Sequence, residues 1–378
     1  MTSESKRSRK VLVLQGGGAL GAYQAGGYEI LTKAGYLPDY VAGISIGAIN
    51  AAIIAGNRPE HQVERLRAFW ERVSSGNPGM RFLSDFAGGL VPRQYLNAMS
   101  AGHIVASGAP GFFELRVPPP YMLPAGSPAA LSYYDTAPLR DTLLELVDFD
   151  ILNSGNVRFA VGAVNVRTGN QIYFDNTERT IRPEHIMASG ALPPGFPHVE
   201  IDGEPYWDGG IVSNTPLQYV LDNHDRHTDS LVFQFDLFSA RGETPQSVWD
   251  VESREKDIRF SSRTRYTTDR VSELIRARAA MHRLYERLPA DLRDSDDVRL
   301  LMQASHPGRM TIVHLIHRPA VHELSSRDYE FSRRSMLEHW NAGAVDARYA
   351  LHHRKFIERK SMHEDLVVVD ATADLPKP

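Results

Sequence analysis

Ser45 stands between Gly43 and Gly47, after the apolar run Tyr40-Val41-Ala42 and before a small, apolar stretch over 48–55. A G-x-S-x-G at a strand-to-helix turn holds its serine in strained backbone with the hydroxyl exposed, as a nucleophile requires. Glycines two residues either side of the serine remove side chains that would collide across the turn. The following helix aims free N–H groups and a positive dipole end near the serine. The bland alternative is an ordinary turn, but both flanking elements needed by the nucleophile are present.

A second glycine-framed turn lies upstream, where Val11-Leu12-Val13-Leu14 leads into Gly16-Gly17-Gly18-Ala19-Leu20-Gly21 and a helical stretch over 19–33. Consecutive glycines there let several backbone N–H groups converge on negative charge, whether a phosphate or the oxyanion of a tetrahedral intermediate. Gly16, Gly18 and Gly21 also fit the G-x-G-x-x-G dinucleotide fingerprint. That reading needs an acidic residue at the end of the next strand. The next strand ends in the serine turn instead, and Asp39 precedes it. The glycines read as an anion hole for Ser45, together with the N–H of Ile46.

A serine needs a base, and fifteen histidines are available. A Ser-His-Asp triad is the first arrangement to consider. None of the histidines sits in a comparably constrained motif: His224 and His227 lie in a polar turn, and His352 and His353 in a charged stretch. His314 and His317 flank or occupy a strand-like run, while His198 follows a Pro/Gly turn close to the next motif. That motif is Trp207-Asp208-Gly209-Gly210-Ile211-Val212-Ser213-Asn214-Thr215-Pro216-Leu217. Asp208 reads either as part of a β-turn or as a base taking the Ser45 proton directly. A free aspartate, with a pKa of about 3.9, is a weak base, and partial burial would raise it. The residues alone leave both readings open.

Taken together, these blocks resemble the patatin-like phospholipase family. The glycine triplet, the Gly43-to-Gly47 elbow and Asp208-Gly209-Gly210 occur in the family's order. Ala188-Ser189-Gly190-Ala191-Leu192-Pro193 through Phe196-Pro197 looks like the segment before the family's aspartate, and Asn214 and Pro216-Leu217 continue the match. The resemblance implies a three-layer α/β/α fold with a mainly parallel central sheet. It implies a Ser-Asp dyad: Ser45 as nucleophile, Asp208 as base, and Gly16, Gly17, Gly18 and Ile46 as oxyanion donors. Gly43 and Gly47 would frame the elbow, and Gly209, Gly210 and Asn214 would support the aspartate loop. Many members carry Arg or Lys two residues after the triplet, where this chain has Leu20.

The elements that position these residues follow from length and patterning. A chain of 378 residues with 42% apolar content can bury a large core. Strand-like runs at 11–15, 40–44, 159–166, 231–238 and 311–317, with helical stretches between several of them, argue for a parallel sheet covered on both faces. Residues 1–10 read as a basic tail and 11–240 as the catalytic domain. Residues 241–378 read as a mainly helical extension adding a strand at 311–317, like the extra C-terminal segment of some bacterial patatin-like proteins. An irregular insert at 74–132 includes Phe112 and Phe113 and is expected to form a cap over an acyl pocket; a surface elaboration is the alternative. The arginine-rich stretch 250–288 carries apolar residues at helical spacing. It reads as packing on the protein's own core rather than on anionic membrane, because acidic residues interleave its basic ones.

A net charge near −4 argues against nucleic acid as a partner, and the absence of cysteine excludes disulfides, thiol catalysis and thiolate metal sites. No run approaches the roughly twenty apolar residues of a membrane span. A cytoplasmic protein is expected, with transient membrane-surface contact as an option. The expected chemistry is metal- and cofactor-independent hydrolysis of a lipid or acyl ester. Esterase or thioesterase action on non-phospholipid substrates, or a non-catalytic lipid-binding role, remain as alternatives.

Overall fold

The computed structural model describes residues 8–76, 92–223, 225, 228–261, 264–304, 308–320, 322–359, 361–362 and 364–370. Most of the basic tail, His224, His227 and residues 77–91 of the insert lie outside them. The strands are β1 (Arg9–Leu14), β2 (Tyr40–Gly43), β3 (Gly108–Ala109), β4 (Phe113–Leu115), β5 (Tyr134–Asp135) and β6 (Arg158–Asn165). They continue with β7 (Gln171–Asp175), β8 (Val199–Ile201), β9 (Glu204–Asp208), β10 (Ser230–Asp236), β11 (Met310–Ile316) and β12 (Leu366–Asp370).

Among the described residues the main sheet runs β12-β11-β10-β1-β2-β6-β9-β8, with β7 also paired to β6. From β12 to β6 every pairing is parallel, while β7, β8 and β9 pair antiparallel. This is the expected α/β class with a mainly parallel sheet. β1 shows why: Leu12 and Leu14 enter one core cluster and Val11 and Val13 another, so the strand is apolar on both faces. Helices α1 (Gly21–Lys33), α2 (Ile46–Ala55) and α3 (Pro59–Val73) contribute to the first cluster. Leu217, Val220 and Leu221 of the helix Leu217–Asn223 and Ile275 of the helix Thr264–Arg287 contribute to the second.

β1 is flanked by β2 on one side and β10 on the other, so its neighbouring connections leave in opposite directions. Such a switch point opens a crevice at the carboxyl ends of parallel strands, where ligands bind. The glycine triplet follows β1 there, and the serine turn follows β2.

Several elements differ from expectation. The helix read over 19–33 begins with a 3-10 turn, Gly18–Leu20, before α1. The part after residue 240 gives the sheet β12 as well as β11; five residues of edge strand after a polar stretch carry little sequence signal. The 250–288 stripe is divided between the helices Val248–Phe260 and Thr264–Arg287. Ile275 and Ala279 are buried and Leu284 is 63% exposed, so only part of the stripe packs inward. The Val271 and Leu274 side chains lie outside the description. In the insert, the helix Arg93–Ser107 precedes β3 and β4, which pair with β5 just beyond it in a three-stranded sheet, and burial of Phe112 and Phe113 anchors this part to the main core.

Candidate active site

Parallel pairing sets Leu14 of β1 beside Gly43 of β2, so the two glycine turns leave the sheet as neighbours. At the second, Ser45 adopts φ 55°, ψ −124°, a strained conformation for a non-glycine residue. Its N–H donates to Ser189 Oγ at 3.0 Å, and Ser189 donates onward to the Gly162 carbonyl at 2.6 Å. Gly47 is required by close approach: a Cβ there would come within 2.3 Å of the Leu14 carbonyl oxygen. Helix α2 starts at Ile46, immediately after the serine.

Asp208 ends β9, next to β6 of the same sheet, and is 2% exposed. Its carboxylate accepts the Ser45 hydroxyl and, through Oδ1, the Gly210 N–H at 2.7 Å. Burial pushes its pKa from 3.8 up to about 7, against the lowering effect of those two donors. Ser45 and Asp208 are thus in direct contact, without an imidazole between them.

The glycine turn is built around Asn214. Its Nδ2 donates to the Gly16 carbonyl at 2.9 Å and to the Phe260 carbonyl at 3.0 Å, and its backbone carbonyl accepts the Gly16 N–H at 3.2 Å. The Gly16 N–H is thus engaged with the Asn214 backbone, and Gly16 frames the turn. The N–H groups of Gly17, Gly18 and Ile46 make no hydrogen bond to the described residues, and all three residues line the cavity with Ser45. Gly18 has φ +53° and lies so close to the Asp328 carbonyl oxygen that a Cβ would approach it to 1.9 Å. Gly209 and Gly210 form the 3-10 turn after Asp208.

The cavity, of about 350 Å³, has mainly apolar walls. The insert contributes Ile104, Val105, Phe112 and Phe113, Tyr134 follows it on β5, and Phe196 comes from the loop after Ser189. Phe112 and Phe113 pack on Phe196 and Phe331 with ring centroids 5.1 to 6.2 Å apart. No histidine lines this cavity among the described residues. His198 is outside it, and His185 is a core residue on Phe174 whose pKa burial depresses to about 4. Leu20 is fully buried in the core.

Two contributions were not identified from the sequence. Ser189 belongs to a recognised block, but its hold on the elbow N–H needs the approach of residues 45, 162 and 189. Phe238, Phe260, Asp328, Tyr329 and Phe331 complete the cavity from the end of β10 and beyond, where no recognised motif points to a site.

A family model described as patatin-like phospholipase matches residues 12–221, and another described as patatin phospholipase matches residues 258–363. No curated protein gives a significant match. Among solved structures, VipD from Legionella pneumophila is similar at 14% identity with a TM-score of 0.36, over 99% of this chain and 74% of that chain. Full-length ExoU of Pseudomonas aeruginosa, solved in complex with full-length SpcU, is similar at 17% identity with a TM-score of 0.27. That match covers 68% of this chain and 50% of ExoU.

Proposed function

The chain belongs to the patatin-like phospholipase family, and on that premise we propose that it cleaves fatty-acyl esters, phospholipids first among them, through a Ser45–Asp208 dyad. Ser45 Oγ attacks the ester carbonyl carbon as its proton passes to Asp208. The N–H groups of Gly17, Gly18 and Ile46 receive the developing oxyanion. Collapse expels the alcohol, which takes the proton from Asp208, and leaves an acyl-enzyme. Asp208 then draws a proton from water, the hydroxide adds to the acyl carbon, and the fatty acid leaves as Ser45 regains its proton.

The observation that carries this reading is the hydrogen bond from the Ser45 hydroxyl to a buried carboxylate whose pKa is raised to about 7. A base near neutral pKa suits proton transfer at neutral pH. The apolar walls suit an acyl chain. Exposed Val117, Tyr121 and Met122 in the cavity-forming insert support transient contact with a lipid surface.

The test is mass-spectrometric detection of products from phospholipid vesicles, neutral esters and acyl-CoA, with wild type beside Ser45→Ala. Serine-dependent fatty-acid release from vesicles is expected, with Ser45→Ala folded and inactive. A variant keeping most of the wild-type rate defeats the dyad. Release from soluble esters or thioesters alone keeps the dyad and moves the substrate away from phospholipids.

A further inference from the structure

The loop between β11 and the helix Arg333–His352 brings Asp328, Tyr329 and Phe331 to the cavity wall, and a second polar cluster holds its ends. His317 lies just after β11, Glu323 in the loop and His339 in the helix. Their side chains are only 2%, 10% and 4% exposed. Glu323 Oε2 is 3.8 Å from His317 Nε2 and 3.6 Å from His339 Nε2. One ligand atom from each residue falls within 4.8 Å of the other two.

Glu323 is oriented for this arrangement: Oε1 accepts the Ala320 N–H at 3.2 Å, while Oε2 faces both imidazoles at ion-pair distances just beyond an ordinary hydrogen bond. A buried carboxylate held apart from two imidazoles is costly, and a divalent ion between the three would offset that cost. Two imidazoles and a carboxylate are a donor set for zinc-class ions. Two such atoms, each about 2.1 Å from one ion at a tetrahedral angle, lie roughly 3.4 Å apart; the 3.6 and 3.8 Å separations from Glu323 Oε2 are close to that, and the imidazole nitrogens, within 4.8 Å of each other, would draw together on the ion. The neighbouring guanidiniums have their own counter-charges, Arg318 with Asp346 at 3.3 Å and Arg327 with Asp257.

We propose that His317, Glu323 and His339 bind one divalent transition-metal ion of the zinc class, which clamps the cavity-wall loop and stands outside the reaction. The clamp reaches the glycine turn through the Asp328 carbonyl, which accepts the Ala19 N–H at 2.7 Å. Water would occupy a fourth coordination position.

The experiment is a titration of chelator-treated, full-length protein with Co²⁺, its fold checked by circular dichroism. Saturable uptake of one equivalent is expected, with the visible bands of four-coordinate cobalt and displacement by Zn²⁺. Zn²⁺ should also raise the thermal midpoint. Glu323→Gln and His339→Ala should each weaken binding by more than roughly tenfold. Folded wild type that takes up neither ion stoichiometrically overturns the proposal, as does undiminished binding in both variants. In either case the three side chains form only a buried ion-pair cluster. The wild-type titration decides the matter even if a variant does not fold.

Discussion

At Asp208, burial and reactivity are coupled. A carboxyl with a folded pKa near 7 and an ordinary value of 3.8 disfavours folding as pH rises. The penalty is absent below 3.8, grows between 3.8 and 7, and is complete above 7. It amounts to on the order of 4 kcal/mol. The same ionisation would create the proposed base, so kcat/KM should rise with pH through a single ionisation near 7, measured by initial rates on a soluble ester. Asp208→Asn removes both base and penalty. It should be inactive but melt above wild type at pH 8, with the gap narrowing toward pH 5 in scanning fluorimetry. Equal midpoints at pH 8 would mean that Asp208 is not the strained acid described.

The elements around Ser45 and Asp208 divide the work. β1 and β2 deliver two rigid turns side by side, whereas the insert and the β11-to-helix loop supply walls. At Phe112 and Phe113 in the wall, leucine keeps an apolar contact and shortens the reach. Phe112→Leu and Phe113→Leu should therefore shift the preference of the enzyme along a series of esters of graded chain length. Specificity constants in unchanged ratio would remove these residues from acyl selection. Larger truncations are poor tests, because a buried Phe→Ala typically costs about 3–5 kcal/mol and the insert would loosen as a whole.

For the whole molecule, the chain after residue 240 is structural as well as cavity-forming. The helix Arg333–His352 lies on α1, where Trp340 Nε1 donates to Glu29 at 2.7 Å and Tyr23 donates its hydroxyl to Asp346 at 2.8 Å. β11 covers the edge of β10, leaving both faces and both edges of that strand occupied. Truncation at residue 240 would expose an apolar strand edge and the α1 face together. The truncated protein should aggregate in size-exclusion chromatography and lose its cooperative melt. A monomeric, active fragment of residues 8–240 would show that the extension is dispensable.

The sequence by itself determined the parts that act through backbone and near neighbours. Gly43, Ser45 and Gly47 require a tight turn between apolar elements, and the glycine triplet requires a donor-rich one; local spacing records both. The paired Leu and Val positions of β1 record a strand covered on both faces. Asp208 was a turn residue or a base until the ordered family blocks favoured the base, because neither its contact with Ser45 nor its raised pKa has any local signature. Only the tertiary structure engaged the Gly16 N–H with Asn214, placed Ser189 behind the elbow and brought Phe331 opposite Phe112. Those contacts join residues far apart in the chain, and their energies come from desolvation and close approach, which arise only once the sheet has assembled.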